Sequence, residues 1–423
     1  MGAGPEPRPD VELAASLFDR LARETADPPG VTRQAYGPAE ETAHRMMAEC
    51  GAALGLDIAR DFAGNTYLTL PGLDRAAPRI LVGSHLDSVP HGGNFDGAAG
   101  VVCGLSALAA LRHAGVRPRR DVTVMAIRAE ESCWFPASYI GSRMALGRLP
   151  GEMVDTLRRS DTGRSLALHM RDLGFDPDLV RRNRPYLTSD RLACYVEVHI
   201  EQGPVLDEQQ LPVGIVEAIT GGPRYREGRI IGAYDHAGAA PRRFRRDAVA
   251  ALGELITGVN ALWRQLEAEG HYSVFTFGIV GTDPAMHSFS RVPGEARFCL
   301  DTRGIRPETV AEIRTRLAGL IDGIAERHRV CFALGPDTGP QIAQMSPEIR
   351  RRLGEAARAL GIPFRDMPSG AGHDAAAFTG AGVPTGMIFI RNAHGSHNAE
   401  EAMDIADFEK ACAVLTRLIA EYE

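Results

Sequence analysis

The sequence predicts an α/β protein: a main domain on a mostly parallel mixed sheet, interrupted by an inserted α+β domain. Three observations carry this. Apolar runs at 80–84, 122–128 (VTVMAIR) and 194–200 (CYVEVHI) alternate with helical patterns, as in βα units around a parallel sheet. Near residue 215 the character changes to strands at 224–232, 273–280 and 296–303 with a helix at 246–268. After 333 the first pattern returns. A chain of 423 residues suffices for two domains at roughly 150 residues each. The expected boundaries are 1–214 and 333–423 for the main domain, and 215–332 for the insert.

Taken in order, the start MGAGPEPRPD lacks an apolar signal core, and Glu6 stands where a myristoylation motif wants Ser or Thr; it reads as a loose tail. Leu13, Leu17 and Leu21, then Ala43, Met46 and Met47, recur at helical spacing. AGVVCGLSALAAL at 99–111 is a helix of small residues ending near Gly115. The charged stretch 150–190 reads as surface helices and loops. A helix at 346–360, a turn-rich GAGHDAA, a strand at 386–390 and a helix from 405 complete the chain. No internal repeat appears.

Composition excludes several classes. Hydrophobic content of 44% and charged content of 24% are those of an ordinary globular protein. A net charge of −7 argues against a nucleic-acid partner, which needs a basic surface. No window approaches the ~18 apolar residues of a membrane span. Seven scattered cysteines without a CxxC pair read as free thiols in a reducing cytoplasm.

The chemistry gathers at strand ends, where open α/β sheets bind ligands. His85 follows the run 80–84 inside GSHLDSVPHGGNFDGAAG. Glu130 and Glu131 follow 122–128, His199 closes 194–200, and His397 lies a short loop past 386–390. Asp96 sits in the glycine-rich turn before the 99–111 helix. Three histidines with two or three carboxylates suit zinc, or manganese or cobalt. Asp87, two residues past His85, fits a carboxylate holding that imidazole's other nitrogen. Successive strand residues face opposite ways, so Glu130 and Glu131 cannot both be ligands by simple alternation. At a strand terminus one can bind metal while the other faces the bound water. Asp96 is the candidate bridge between two ions.

Seven blocks in order carry a family resemblance: GSHLDSVPHGGNFDGAAGV, the Glu130-Glu131 pair before Phe135 and Gly141 to Arg143, HIEQGPVL, DHAGAAP, VPGEARFCLDTR, SGAGHDAAAF and GSHNAEE. The chain resembles the amidase/hydantoinase-carbamoylase branch of the M20 metallohydrolases over nearly its whole length. The resemblance implies His85, Asp96, Glu131, His199 and His397 as ligands of two divalent ions, zinc foremost, with manganese, cobalt or nickel as alternatives. It implies Glu130 as general base and His236 as a catalytic residue reaching the partner's site in a homodimer. Gln202, Ser290, Arg303 and His373 would bind substrate, Arg303 gripping its carboxylate. The main domain would be catalytic and the insert a lid that also dimerises. The implied substrate is a small ureido or N-acyl amino acid, and the implied reaction is hydrolysis of a linear C–N bond. The alternatives are an M20 peptidase, an N-acyl amino-acid deacylase, or a catalytically dead metal-binding relative. Three departures bear on specificity: Ser290 replaces a common Asn, Trp134 sets a large indole beside the base, and Arg242 follows Pro241 where relatives have an apolar Met. The arginines at 242, 243, 245 and 246 read most simply as a solvated helix start or a dimer rim, with use of one of them by an anionic substrate as the alternative.

Overall fold

The computed structural model describes residues 7–422, so the expected loose tail lies outside it save for residues 7–10. The chain forms two compact units: the described residues up to Glu217 together with Met345 onward, and Ala218–Gln344.

The first unit is organised by four parallel strands: β1 (Arg79–His85), β2 (Val122–Ile127), β3 (Leu192–Ile200) and β4 (Thr385–Ile390). They lie in the order β4-β3-β1-β2. Nearly every residue in them is buried, because strands covered on both faces read as continuous apolar runs. The sheet is mixed. Thr66–Leu70 runs antiparallel beside β2, Asp57–Arg60 lies outside it, and Val213–Ile219 runs antiparallel to β4. These three strands were not read from the sequence; Asp57–Arg60 is exposed throughout and offers no apolar alternation.

Helix α1 (Ala98–His113) is buried from Ala98 to Leu111 and has no polar face. Its glycines explain the close approach: a Cβ on Gly100 would lie 2.0 Å from the Val198 carbonyl oxygen. Helices Pro347–Ala359 and Ile405–Glu421 complete the surrounding core through Ile349, Leu353, Phe408, Leu415 and Ile419. The stretch 150–190, expected only at the surface, is more than that. Its short helices send Val154, Leu157, Leu166, Met170 and Val180 into an apolar cluster with Tyr36, Trp134 and Phe135.

The second unit is an antiparallel sheet ordered Ser273–Thr276, Glu295–Gly304, Arg224–Ile231, Cys331–Ala333, with Val280–Thr282 also paired to Glu295–Gly304. The run 273–280 is thus two strand pieces, not one. Helix Ala248–Ala268 buries Leu252, Leu255, Val259 and Leu266. A second helix, Pro307–His328, buries Ile313, Leu317, Ile321 and Ile324. It escaped the sequence reading although Pro at its first turn and its apolar spacing mark it. Residues 333–344, expected with the main domain, belong here. Cys331–Ala333 pairs with Arg224–Ile231, and Asp337 Oδ1 accepts the Arg224 N–H at 3.0 Å.

Candidate metal centre

β1 and β3 are neighbours, so their C-terminal histidines meet. His85 Nδ1 lies 2.9 Å from the Asp87 carbonyl oxygen, and His199 Nδ1 lies 2.9 Å from that of Ile200. With those nitrogens used as donors, both Nε2 atoms turn inward, 3.4 Å apart. Asp96 Oδ1 faces them, 3.7 Å from His85 and 3.1 Å from His199. The turn before α1 allows this only with glycine at 97: its φ is +65°, and a Cβ would lie 2.5 Å from the His85 ring.

The glutamate pair follows β2 after a turn at Ala129, whose φ is +52°. Asp87 fixes both residues by accepting the Glu130 N–H on Oδ1 at 3.0 Å and the Glu131 N–H on Oδ2 at 3.1 Å. Asp87 thus serves all three residues, its backbone carbonyl taking His85 Nδ1 and its carboxylate the two glutamate N–H groups, whereas the sequence points to the carboxylate for the imidazole. Behind them, buried Arg128 pairs with Glu40, whose other oxygen accepts the Ala129 N–H. His397 comes in on the loop after β4, half-exposed at 52%, with Nε2 3.2 Å from Asp96 Oδ2 and 3.3 Å from Glu131 Oε1.

Three overlapping sets result, each with ligand atoms within 4.8 Å of one another: His85/Asp96/His199, His85/Glu130/Glu131 and Asp96/Glu131/His397. Asp96 and His85 link them. All five expected ligands therefore converge, with Glu130 beside them.

The electrostatics fit cations. Asp87, Asp96, Glu130, Glu131, Glu197, Asp374 and Glu401 are all buried in this unit. Arg33 is a fully buried fixed positive charge among Glu401, Asp96, Asp87 and Glu131. So many buried carboxylates are costly unless paired or coordinated. Asp96 Oδ1 is buried without an aligned donor. The protein's own responses agree. Burial pushes the Glu130 carboxyl well above its ordinary range, against the pull of His85. His85 rises well above its usual value because Asp87, Glu130 and Asp96 outweigh its burial. His397 is raised to about 10 by Asp96 and Glu131.

The expected substrate contacts divide. Gln202 donates to Asp96 Oδ2 at 3.1 Å and so touches a ligand directly. His373 is buried, its Nε2 3.0 Å from Ser369 Oγ and its ring 4.4 Å from that of His199; it packs behind a ligand. His236, Ser290 and Arg303 belong to the second unit. His236 is exposed, its Nδ1 accepting the N–H groups of Gly238 and Ala239 at 3.1 and 3.0 Å. Ser290 is exposed, and its carbonyl accepts the Ala237 N–H at 2.8 Å. Arg303 is ion-paired with Asp301 at 2.6 Å. The Trp134 indole is buried, its Nε1 donating to the Ser88 carbonyl at 2.7 Å. Sequence reasoning missed Glu401, Ser396, Arg33, Glu197 and the Glu40–Arg128 pair. Glu401 and Ser396 lie inside the quoted GSHNAEE block; Arg33, Glu197 and the Glu40–Arg128 pair find partners distant in sequence.

Fold and site together define the class: an enzyme whose parallel strand ends gather His and carboxylate side chains that could hold divalent cations. The profile of peptidase family M20/M25/M40 matches residues 81–421, and the chain belongs to that family. It is 35% identical over 382 residues to an N-carbamoyl-L-amino acid amidohydrolase of Geobacillus stearothermophilus, covering 88% of each chain. It is 31% identical to the allantoate amidohydrolase of Escherichia coli, covering 93% of each. A solved amidase of the hydantoinase/carbamoylase family from Burkholderia multivorans superposes with a TM-score of 0.87 at 26% identity, covering 98% of both. The protein is a hydrolase of linear amide C–N bonds in this branch. Among the described residues no helix is long and apolar enough to cross a membrane.

Proposed function

We propose that the protein hydrolyses an N-carbamoyl (ureido) amino acid to the amino acid, ammonia and carbon dioxide. The observation that carries this is Glu130, a buried carboxyl held by its backbone N–H on Asp87 beside two ligand sets that share Asp96. The names of the relatives supply the substrate class. His85, His199 and Asp96 are suited to hold one cation, and Glu131, His397 and Asp96 a second, zinc foremost. Divalent ions bound there supply Lewis acidity and lower the pKa of water toward ~7.

Glu130 accepts a proton from the water that attacks the carbamoyl carbon, the part that a carboxylate placed beside the two candidate cation positions can play. It then returns that proton to the leaving amine nitrogen, and the released carbamate decomposes. His236 uses Nδ1 as an acceptor, so its neutral ring carries the proton on Nε2, the form that donates to a developing oxyanion. Arg303 presents a guanidinium oriented by Asp301 for a bidentate grip on the substrate carboxylate. Gln202 and Ser290 add polar contacts. The second unit acts as lid and dimerisation domain. Seven free thiols support a cytoplasmic location.

A panel of ureido, N-acetyl and dipeptide substrates, with ammonia and free amine measured separately, tests the reading. Ureido acids should release both products; amine without ammonia across the panel would move the protein to the deacylase or peptidase class. Arg303→Ala should lower kcat/KM at least tenfold for carboxylates, since losing such a charged contact costs ~2–5 kcal/mol. Esterifying the substrate should add little in that variant. Equal turnover of acids and esters by the wild type would remove the clamp. For His236, inactive His236→Ala and Glu130→Gln chains should regain partial activity when mixed, because one site per heterodimer keeps both groups. No recovery despite proven subunit exchange would confine His236 to its own chain.

A further inference from the structure

Glu401 lies four residues past His397 and is buried, and its carboxylate spans two separate pieces of the centre. Oε1 accepts the backbone N–H groups of Phe95 and Asp96 at 2.9 and 3.1 Å. Oε2 lies 2.6 Å from Ser396 Oγ, and that hydroxyl lies 2.9 Å from Asp96 Oδ2. Glu401 therefore ties the turn carrying Asp96 to the loop carrying His397, with Ser396 as the link. The fold makes room for it: a Cβ on Gly93 would lie 2.2 Å from Glu401 Oε1. The loop itself closes on a reciprocal backbone pair between Ala393 and Ala402, with His397 at φ +62°. Asn392 and Asn398 also brace the loop by donating to the Gly395, His394 and Ser396 carbonyls, but these bonds do not reach the turn that carries Asp96.

We propose that Glu401 is a positioning residue that sets the Asp96/Glu131/His397 ligand set, leaving the His85/Asp96/His199 set largely to the strands. The inference rests on the two-cation reading above. Its consequence is selectivity: loss of Glu401 should weaken one cation position and spare the other. Asp96 keeps its contacts to His85 and His199 through β1 and β3, whereas His397 loses the bond that registers its loop.

The test titrates Co²⁺ into chelator-stripped full-length protein, following visible absorption and calorimetric heat. In Glu401→Ala the weaker of two binding steps should lose at least about tenfold in affinity, the usual range for partners that support a ligand. Glu401→Gln should stay within about threefold, because its amide oxygen still accepts both N–H groups and its NH₂ donates to Ser396. Ser396→Ala, which leaves the backbone bonds intact, should weaken the same step if Glu401→Ala does not fold. His397→Ala serves as reference and should abolish that step alone. If His397→Ala loses one step while Glu401→Ala and Ser396→Ala bind as wild type, the role assigned to Glu401 is overturned. Equal weakening of both steps in Glu401→Ala would also overturn it, as mere loosening of the fold. Two unchanged steps in His397→Ala would overturn the underlying cation assignment instead.

Discussion

Glu130→Gln is expected to cut kcat by about a thousandfold or more while leaving cation content and melting temperature near wild type. Proton transfer by a placed group contributes roughly 10²–10⁴-fold, and a glutamine cannot take the proton. The fold should tolerate the change. The backbone N–H of residue 130 keeps its bond to Asp87, and burial already disfavours the ionised carboxyl that the amide replaces. Glu131→Gln should behave differently. Glu131 Oε1 faces His397 Nε2 at 3.3 Å within a ligand set, so its loss should show as reduced cation content. Steady-state kinetics with elemental analysis separates the two. Near-normal turnover by Glu130→Gln would end its assignment as the base.

Removal of divalent cations should abolish activity and lower the melting temperature together. Stripped of counter-charge, the buried carboxylates Asp96, Glu130 and Glu131 are left close together in the protein interior. A ligand at about a thousand times its Kd stabilises the folded state by roughly 4 kcal/mol, so its loss is visible in a melt. Elemental analysis without chelator should approach two ions per chain. Zinc, manganese, cobalt or nickel should restore both activity and melting temperature. Full turnover in rigorously cation-free protein would reject a role for metal.

The two properties respond to different parts of the molecule, and that division follows how the site is encoded. The candidate ligands were legible: His85, Glu131 and His199 sit where apolar runs stop, and a buried parallel strand announces itself as such a run. Asp96 and His397 were legible from glycine-rich turns next to those runs. Asp57–Arg60 was not legible, since an exposed edge strand has no apolar pattern to read. The partners of the Trp134 indole were not legible either, because a strand-end turn decides which way an indole points. Here it faces Ser88 and the cluster around Phe135.

The sequence by itself determined the class of fold, the family and the set of candidate ligands, because each is written in local runs and short blocks. Tertiary structure alone decided how those residues are held. Glu401 meets the Phe95 and Asp96 amides across 306 and 305 residues of chain, Arg128 meets Glu40 across 88, and Glu130 meets Asp87 across 43. These contacts leave no periodicity or spacing in the sequence. They arise because a buried carboxylate must find donors, and in this unit the available donors are backbone N–H groups and a guanidinium that only the folded sheet brings within reach.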